Sequence, residues 1–245
     1  FNISNGSKNL ILSNNIIRNG DSTSSSSRTY LIYVNSNRGK NIWFTNNQIY
    51  CGSMGLYFYS DYSYRDENIY ITNNIFRNQG YYGLYMYYPH NVQVSNNDIL
   101  ETSNSLYNSV YLYYPDGWAN FNNNKVITTG ANAYQGVYLD NYYSPTDTFK
   151  IYNNFISISN NQTAHALYTT YLEPGFIANN NLLNECTDSS SNGAAFYVYG
   201  GYLTVQNNNF QHTGHGYAMF NDYYYGYSSD NNNYHTNGTK FIYYN

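Results

Sequence analysis

The sequence predicts an all-β chain wound as a right-handed parallel β-helix, a solenoid of about nine coils with three short strands in each. Two observations carry the prediction. An Asn-Asn pair recurs along the whole chain, about once per coil, and period-2 strand patterns flank it. No stretch shows helical periodicity of useful length.

The pairs are Asn14-Asn15, Asn46-Asn47, Asn73-Asn74, Asn96-Asn97, Asn123-Asn124, Asn153-Asn154, Asn180-Asn181, Asn207-Asn208 and Asn231-Asn232. After each pair, with one residue between, comes an apolar or aromatic side chain: Ile17, Ile49, Phe76, Ile99, Val126, Ile156, Leu183, Phe210 and Tyr234. Successive pairs lie 32, 27, 23, 27, 30, 27, 27 and 24 residues apart. A fixed kernel at variable spacing means a constant turn joined by loops of changing length. Asn suits such a turn because it tolerates the left-handed backbone conformation and bonds to nearby peptide groups. Stacked coil on coil, the amides can also bond to one another. Asn14, Asn46, Asn73, Asn96, Asn123, Asn153, Asn180, Asn207 and Asn231 are therefore expected to be structural.

A strand precedes each pair. Its inward positions read Leu10/Leu12, Ile42/Phe44, Ile69/Ile71, Val92/Val94, Ala119/Phe121, Phe149/Ile151, Phe176/Ala178 and Leu203/Val205. A second strand follows each variable loop, as in Gly55-Leu56-Tyr57-Phe58-Tyr59, Gly83-Leu84-Tyr85-Met86-Tyr87 and Gly136-Val137-Tyr138-Leu139-Asp140. In it Leu, Val, Phe and Met point in and Tyr points out. A short strand after the Asn corner completes a triangular coil. At a strand spacing of ~4.8 Å, the rod is about 43 Å long. Cys51 and Cys186 then lie about 24 Å apart, beyond disulfide reach, and match no metal-ligand spacing.

Composition narrows the function classes. Only 10% of the 245 residues are charged, and 35 tyrosines together with the asparagines supply the polarity. Such a surface suits an extracellular setting. The formal net charge of −4 provides no electrostatic footprint for nucleic acid or for an anionic membrane. No run approaches the roughly 18 apolar residues of a membrane span. The chain opens at Phe1 and reads as a mature or excised single domain over 1–245, expected to be a segment of a longer surface protein.

The kernel at 68–76 (Asn-Ile-Tyr-Ile-Thr-Asn-Asn-Ile-Phe), continued by Gly-Leu-Tyr-Met-Tyr-Tyr at 83–88, resembles the parallel β-helix repeats of pectate-lyase-like proteins. The closing stretch, from Val-Gln-Asn-Asn-Asn-Phe at 205–210 to Thr236-Asn237-Gly238-Thr239, is similar to large Bacteroidetes surface proteins. Those are commonly exported by the type IX secretion system. The resemblance implies a secreted or cell-surface location. Function does not follow from it, because one fold hosts many.

Enzymes of the resembled group work with outward carboxylates, either as Ca²⁺ ligands beside an Arg base or as paired acids. The candidates here are Asp116, Asp140, Asp147 and Glu173, with His165 and Lys150 near in the repeat. They share no acidic column, and Asp116-Gly117 and Glu173-Pro174-Gly175 also read as turns. Asp61, Arg65, Asp66 and Glu67 read as a solvated corner. Arg18 and Arg77 share a repeat offset and could hold an anion. Gly214-His215-Gly216 resembles a tripeptide of polygalacturonases, whose accompanying Asn-Thr-Asp, Asp-Asp and Arg-x-Lys elements are not expected in this chain. No cofactor or metal is expected.

The outward tyrosines are the more informative feature. Tyr57, Tyr85, Tyr111, Tyr138, Tyr168 and Tyr197, with Tyr59, Tyr87, Tyr113 and Tyr199, should form a continuous aromatic strip. Tyr62, Tyr64, Tyr88, Tyr114, Tyr142, Tyr143 and Tyr223 to Tyr225 crowd its edges. Tyr favours strands and cross-strand stacking, which alone would account for it. A flat strip of amphipathic rings also suits glycans or other surface proteins, or self-association. The expectation is a non-enzymatic structural or adhesion module that binds through this face. A polysaccharide lyase or hydrolase and a filament subunit are the alternatives. Sequons stand at Asn2, Asn5, Asn161 and Asn237, and Asp21-Ser22-Thr23 resembles a bacterial O-glycosylation site.

Overall fold

In the computed structural model the chain is described over residues 1–4, 6–19, 29–36, 38–141, 147–187, 192–223, 226–238 and 240–244. Asn5, Asp21 to Thr23, Tyr142, Tyr143, Tyr224, Tyr225 and Thr239 lie outside the described residues. Among the described residues all 26 elements are strands, and every pairing between them is parallel, so the chain is a β-solenoid of about eight turns. The coil count is close to that expected.

Each turn has three faces. The first stacks Tyr30–Ser36, Met54–Ser60, Tyr82–Tyr87, Asn108–Tyr113 and Gln135–Asp140, then the opening halves of His165–Ala178 and Ala194–Gln206, then Tyr217–Tyr223. The second stacks Lys8–Ser13, Lys40–Thr45, Glu67–Thr72, His90–Ser95, Asp116–Asn122 and Phe149–Tyr152, then the closing halves of the two long strands. The third is a ladder of nine short strands, from Ile16–Arg18 to Asn233–Thr236. Inward side chains from the three faces meet in one apolar core, where Phe44, Phe58, Phe76, Phe121, Phe149, Phe196 and Phe210 are fully buried.

The corner between the second and third faces explains the repeat. The first Asn of every pair has positive φ, from 53° at Asn231 to 59° at Asn14, a conformation Asn accepts more readily than most side chains. The second Asn turns inward. Its Nδ2 and its backbone N–H both donate to Oδ1 of the next Asn, as from Asn97 to Asn124 at 3.0 Å in both cases. The same Nδ2 donates back to a carbonyl of the coil beneath, from Asn124 to Val94 at 2.9 Å. This chain runs unbroken from Asn15 to Asn232. Buried backbone and amide groups are thereby satisfied without water.

One frame must be corrected. Where three asparagines run together the corner pair is Asn179-Asn180, not Asn180-Asn181: Asn179 carries the positive φ of 55° and Asn180 sits in the ladder. The buried follower is Leu182, in register with Ile156 and Phe210, rather than Leu183. The preceding inward pair shifts likewise, to Gly175 and Ile177, and Phe176 faces out. A second column of left-handed asparagines, Asn9, Asn41, Asn68 and Asn91, joins coil to coil through side-chain amides at 3.0 to 3.1 Å. Gly117 takes the equivalent place in the next coil, with φ of 68°, and Trp118 N–H accepts the role of donor to Asn91 Oδ1.

The residue before the first inward side chain of these first-face strands is small at Gly55, Gly83, Ser109, Gly136, Ala166 and Ala195, because coils approach closely there. A Cβ at Gly55 would lie 2.5 Å from the carbonyl oxygen of Gly83. Beside Gly83 stands Glu101, fully buried, which accepts from the N–H of Gln79 through Oε2 while Oε1 has no partner. Burial pushes this carboxyl well above the usual range. A raised folded pKa means the stability it allows is present below the unfolded value, near 4.5, and is lost as pH rises toward the folded one. Glu101→Gln keeps the acceptor and removes the proton, so thermal unfolding should show a stabilisation that grows between pH 4.5 and pH 8. An equal difference at both values would refute this assignment.

Candidate functional site

The first face carries outward aromatic rings at every rung. Its central column runs Tyr33, Tyr57, Tyr85, Tyr111, Tyr138, Tyr168, Tyr197, Phe220 and Tyr243, with ring centroids 4.4 to 5.4 Å apart. The parallel strand register places each ring directly over the next, and the rings are half-buried by one another. Stacking is near-parallel below and above the middle: 3° between Tyr57 and Tyr85, 7° between Tyr85 and Tyr111, and 8° between Tyr168 and Tyr197.

The stack breaks at one ring. Tyr138 is tilted 58° from Tyr111 and 69° from Tyr168. Its neighbours along and across the strands account for this. On one side the column Met54, Tyr82, Asn108, Gln135 and His165 loses its aromatic ring after Tyr82. On the other, the column Tyr59, Tyr87, Tyr113 gives way to Asp140 and Thr170 before resuming at Tyr199. The Tyr138 hydroxyl donates to Asp140 Oδ2 at 3.2 Å.

Two clefts flank the turned ring. One, of about 300 Å³, lies over Asn108 and Gln135 and is rimmed by Tyr85, Tyr107, Tyr111 and Tyr138. The other, of about 270 Å³, lies over Asp140 and Thr170 between Tyr114, Tyr171 and Tyr199. Tyr138 and Tyr168 line both, so the two clefts adjoin across these rings as neighbouring parts of a groove in the face. From Gln135 to Asp140 it follows a single strand, about 17 Å at ~3.3 Å per residue. Tyr114 and Tyr171, on its rim, hold positive φ of 50° and 49°, which is unusual for bulky side chains.

The groove is electrically quiet apart from Asp140. Burial is the largest influence raising the phenols of Tyr82, Tyr85, Tyr111 and Tyr138, and it pushes Tyr168 up to about 12. Burial also lowers His165 to about 3. These groups are neutral at physiological pH. A larger hollow of about 620 Å³ opens over Gly175 and Gly226 on the second face. No buried, unbonded polar side-chain atom lines it, whereas Asn108 lines the tyrosine groove with both amide atoms in that state. The smaller site is the one with something to recognise.

The carboxylates considered from sequence are dispersed. Asp116 begins a second-face strand, 3.5 Å from Arg65 and 3.4 Å from His90 Nδ1. Asp140 ends a first-face strand in the groove, Glu173 lies inside the long strand His165–Ala178, and Asp147 is exposed ahead of Phe149–Tyr152. Lys150 points out from the second face, away from His165. Among the described residues no group of three or more His, Cys, Asp or Glu could hold a metal ion, and no helix is long and apolar enough to cross a membrane.

Other candidates are absorbed by the fold. Asp66 is buried, not solvated: its Oδ1 accepts from Gly39 N–H and its own N–H donates to Ser60 Oγ. Arg18 and Arg77 are two coils apart, with Tyr50 between them, and Arg77 is paired with Asp98. Gly214 and Gly216 are places of close approach, each with a carbonyl oxygen 2.0 Å from where a Cβ would stand. Contrary to expectation an Arg-x-Lys triplet does occur, Arg38-Gly39-Lys40, but it lies toward the other end of the solenoid from Gly214-His215-Gly216, Arg38 over the Tyr64 ring and Lys40 on Glu67. Cys51 and Cys186 are free thiols.

Sequence reasoning did not single out Asn108, Gln135, or the rim column Tyr81, Tyr107 and Tyr134. The rim was detectable: Tyr107 and Tyr134 stand 27 residues apart, each ahead of a first-face strand. No family model, curated protein or solved structure matches the chain.

Proposed function

We propose that the protein is a non-enzymatic extracellular module, structural or adhesive, whose tyrosine face contacts glycans or other surface proteins. The observation that carries the reading is the break in the ring stack. A face kept aromatic for stability alone would carry the outer column Tyr59, Tyr87, Tyr113 straight on to Tyr199 and would turn no ring of the central one. Here three successive rungs exchange rings for Asn, Gln, Asp and Thr, and a groove opens where they do so. Rigid aromatic walls with a few convergent polar groups are the usual make-up of a binding site. The resemblance of the repeat to pectate-lyase-like β-helices, and of its last coils to large Bacteroidetes surface proteins, supports a secreted setting, with type IX export as the corresponding route.

Tyr85→Ala combined with Tyr111→Ala removes two groove rings whose loss leaves the inward core untouched. Binding on a glycan array or in a surface-protein pull-down should fall about tenfold or more, taking ~1–3 kcal/mol for ring stacking. The far-ultraviolet spectrum should be retained. Unchanged binding would dispose of the proposal.

A further inference from the structure

We infer that the cleft over Asn108 is a subsite for one uncharged sugar ring, stacked on tyrosine and held through its hydroxyls by the Asn108 amide. The inference rests on the tyrosine-face reading and gives it a ligand class.

Three features of the molecule lead there. Asn108 is fully buried, and neither its Oδ1 nor its Nδ2 has a hydrogen-bond partner in the protein. An amide in that state costs stability, because a donor and an acceptor have both left water without compensation. Asn122 and Asn221 are also buried but leave only Oδ1 unbonded, and the corner asparagines are bonded into a ladder; Asn108 leaves both amide atoms unbonded, which calls for an external partner. An amide offers one donor and one acceptor side by side, the pattern presented by two adjacent hydroxyls on a sugar. Gln135, the next residue up the same column, offers a second amide to the same cleft.

The aromatic geometry supplies the other half. Tyr85 and Tyr111 present near-parallel rings, 5.0 Å apart, on one side of the cleft. On the other side Tyr107 forms the rim, 42% exposed and 5.1 Å from Tyr134. The amide lies at the closed bottom, so a hydroxyl reaches it when a rim ring turns aside. Tyr107, the most exposed of the rings around it, has the freedom to do so.

Charge selects the sugar. Among the described residues the cleft is lined by no Lys, Arg or His. Across Tyr138 the groove ends at the carboxylate of Asp140. A uronate would find no cation to pair with and an anion nearby, and desolvating it would go uncompensated. Neutral hexoses or pentoses meet no such penalty.

The test is titration calorimetry with hexasaccharides of glucose, mannose, xylose and galactose, alongside a galacturonate hexasaccharide, on the wild type and on Asn108→Ala. Binding of at least one neutral hexasaccharide in preference to the galacturonate is expected. Asn108→Ala should weaken it about tenfold or more, as for a site that loses its hydroxyl partner. The same variant should leave the melting midpoint unchanged or raised, because the amide it removes bonds to nothing in the protein. A drop in affinity together with a drop in melting midpoint would mark Asn108 as merely structural and overturn the inference. Unchanged affinity in Asn108→Ala, or preference for the galacturonate, would also overturn it. In those two cases sensitivity to the Tyr85 and Tyr111 pair would leave the broader face standing. No binding to any of the sugars would defeat the inference, and the broader reading would then stand or fall on the protein pull-down.

Discussion

Asn124→Ala is expected to destabilise the solenoid by roughly 2–5 kcal/mol, the cost of leaving two or more buried groups unsatisfied. Asn124 Oδ1 accepts from both the backbone N–H and the Nδ2 of Asn97, and its own Nδ2 serves Asn154 Oδ1 and Val94 O. Alanine strands the Asn97 donors and the Val94 carbonyl below and removes one of the two donors to Asn154 Oδ1 above, in a place where no water reaches. The damage falls in the middle of a one-dimensional stack, whose stability is a sum over neighbouring coils. Urea unfolding should therefore become less cooperative, with the two halves separating. Asn232→Ala, at the last rung and partly exposed, should cost clearly less. Asn124→Asp sharpens the test. It keeps the acceptor for Asn97 but sets a carboxylate against Asn154 Oδ1 and Val94 O. Its penalty should grow as pH rises through the carboxyl's titration, while that of the alanine variant stays flat. Equal effects at rungs 124 and 232 would show that the ladder does not act through burial.

How far this was readable depends on where the signal lay. A paired Asn with an inward follower is a local pattern repeated at every coil, so the corner, the three faces and the outward tyrosines could all be read from the chain. At 179–181 the local pattern is degenerate. Three asparagines and two leucines fit either frame, and only stacking on Ile156 and Phe210 chooses Leu182. The second ladder, Asn9 to Asn91, was present in the chain too: each Asn stands five residues before the first Asn of a corner pair and directly before the inward Leu10, Ile42, Ile69 or Val92, but a single Asn is a weaker signal than a pair. Asp66 looked solvated because its partner, Gly39 N–H, is 27 residues away. The groove was least legible of all. Tyr138 belongs to the same repeat position as its neighbours, and what turns it is the absence of rings at Gln135 and Asp140 and at the rungs beside them. A defect in a repeat is visible only once the repeat is stacked. Asp140 was noticed as a carboxylate, yet its company of tyrosines, rather than of other acids, gives it a place.

Alkaline pH is expected to unfold the protein cooperatively between about pH 10 and pH 12, from the ordinary tyrosine pKa near 10 upward. Tyr82, Tyr85, Tyr111, Tyr138, Tyr168 and Tyr227 are all raised, with burial as the largest cause in each; Tyr168 reaches about 12 and the others lie higher. The sign follows from linkage. A phenol whose folded pKa exceeds its unfolded value holds its proton longer in the native state, so the stability it contributes is intact below pH 10. Above that value the unfolded chain ionises and the native one does not. Each such group then withdraws up to about 1.4 kcal/mol per pH unit until its folded pKa is reached. Even halved for the solvent that reaches the half-buried rings, six groups acting together remove on the order of the 5–15 kcal/mol that a domain possesses within two pH units. Because the rings stack coil on coil, the first to ionise loosens its neighbours, and tyrosinate absorbance should rise together with loss of the strand signal in circular dichroism. Tyr111→Phe with Tyr138→Phe keeps the rings and removes two of the protons, and should move the midpoint upward. Gradual tyrosinate formation with the fold retained past pH 12 would mean that the tyrosine face is open to water, and the groove argued from its burial would lose its basis.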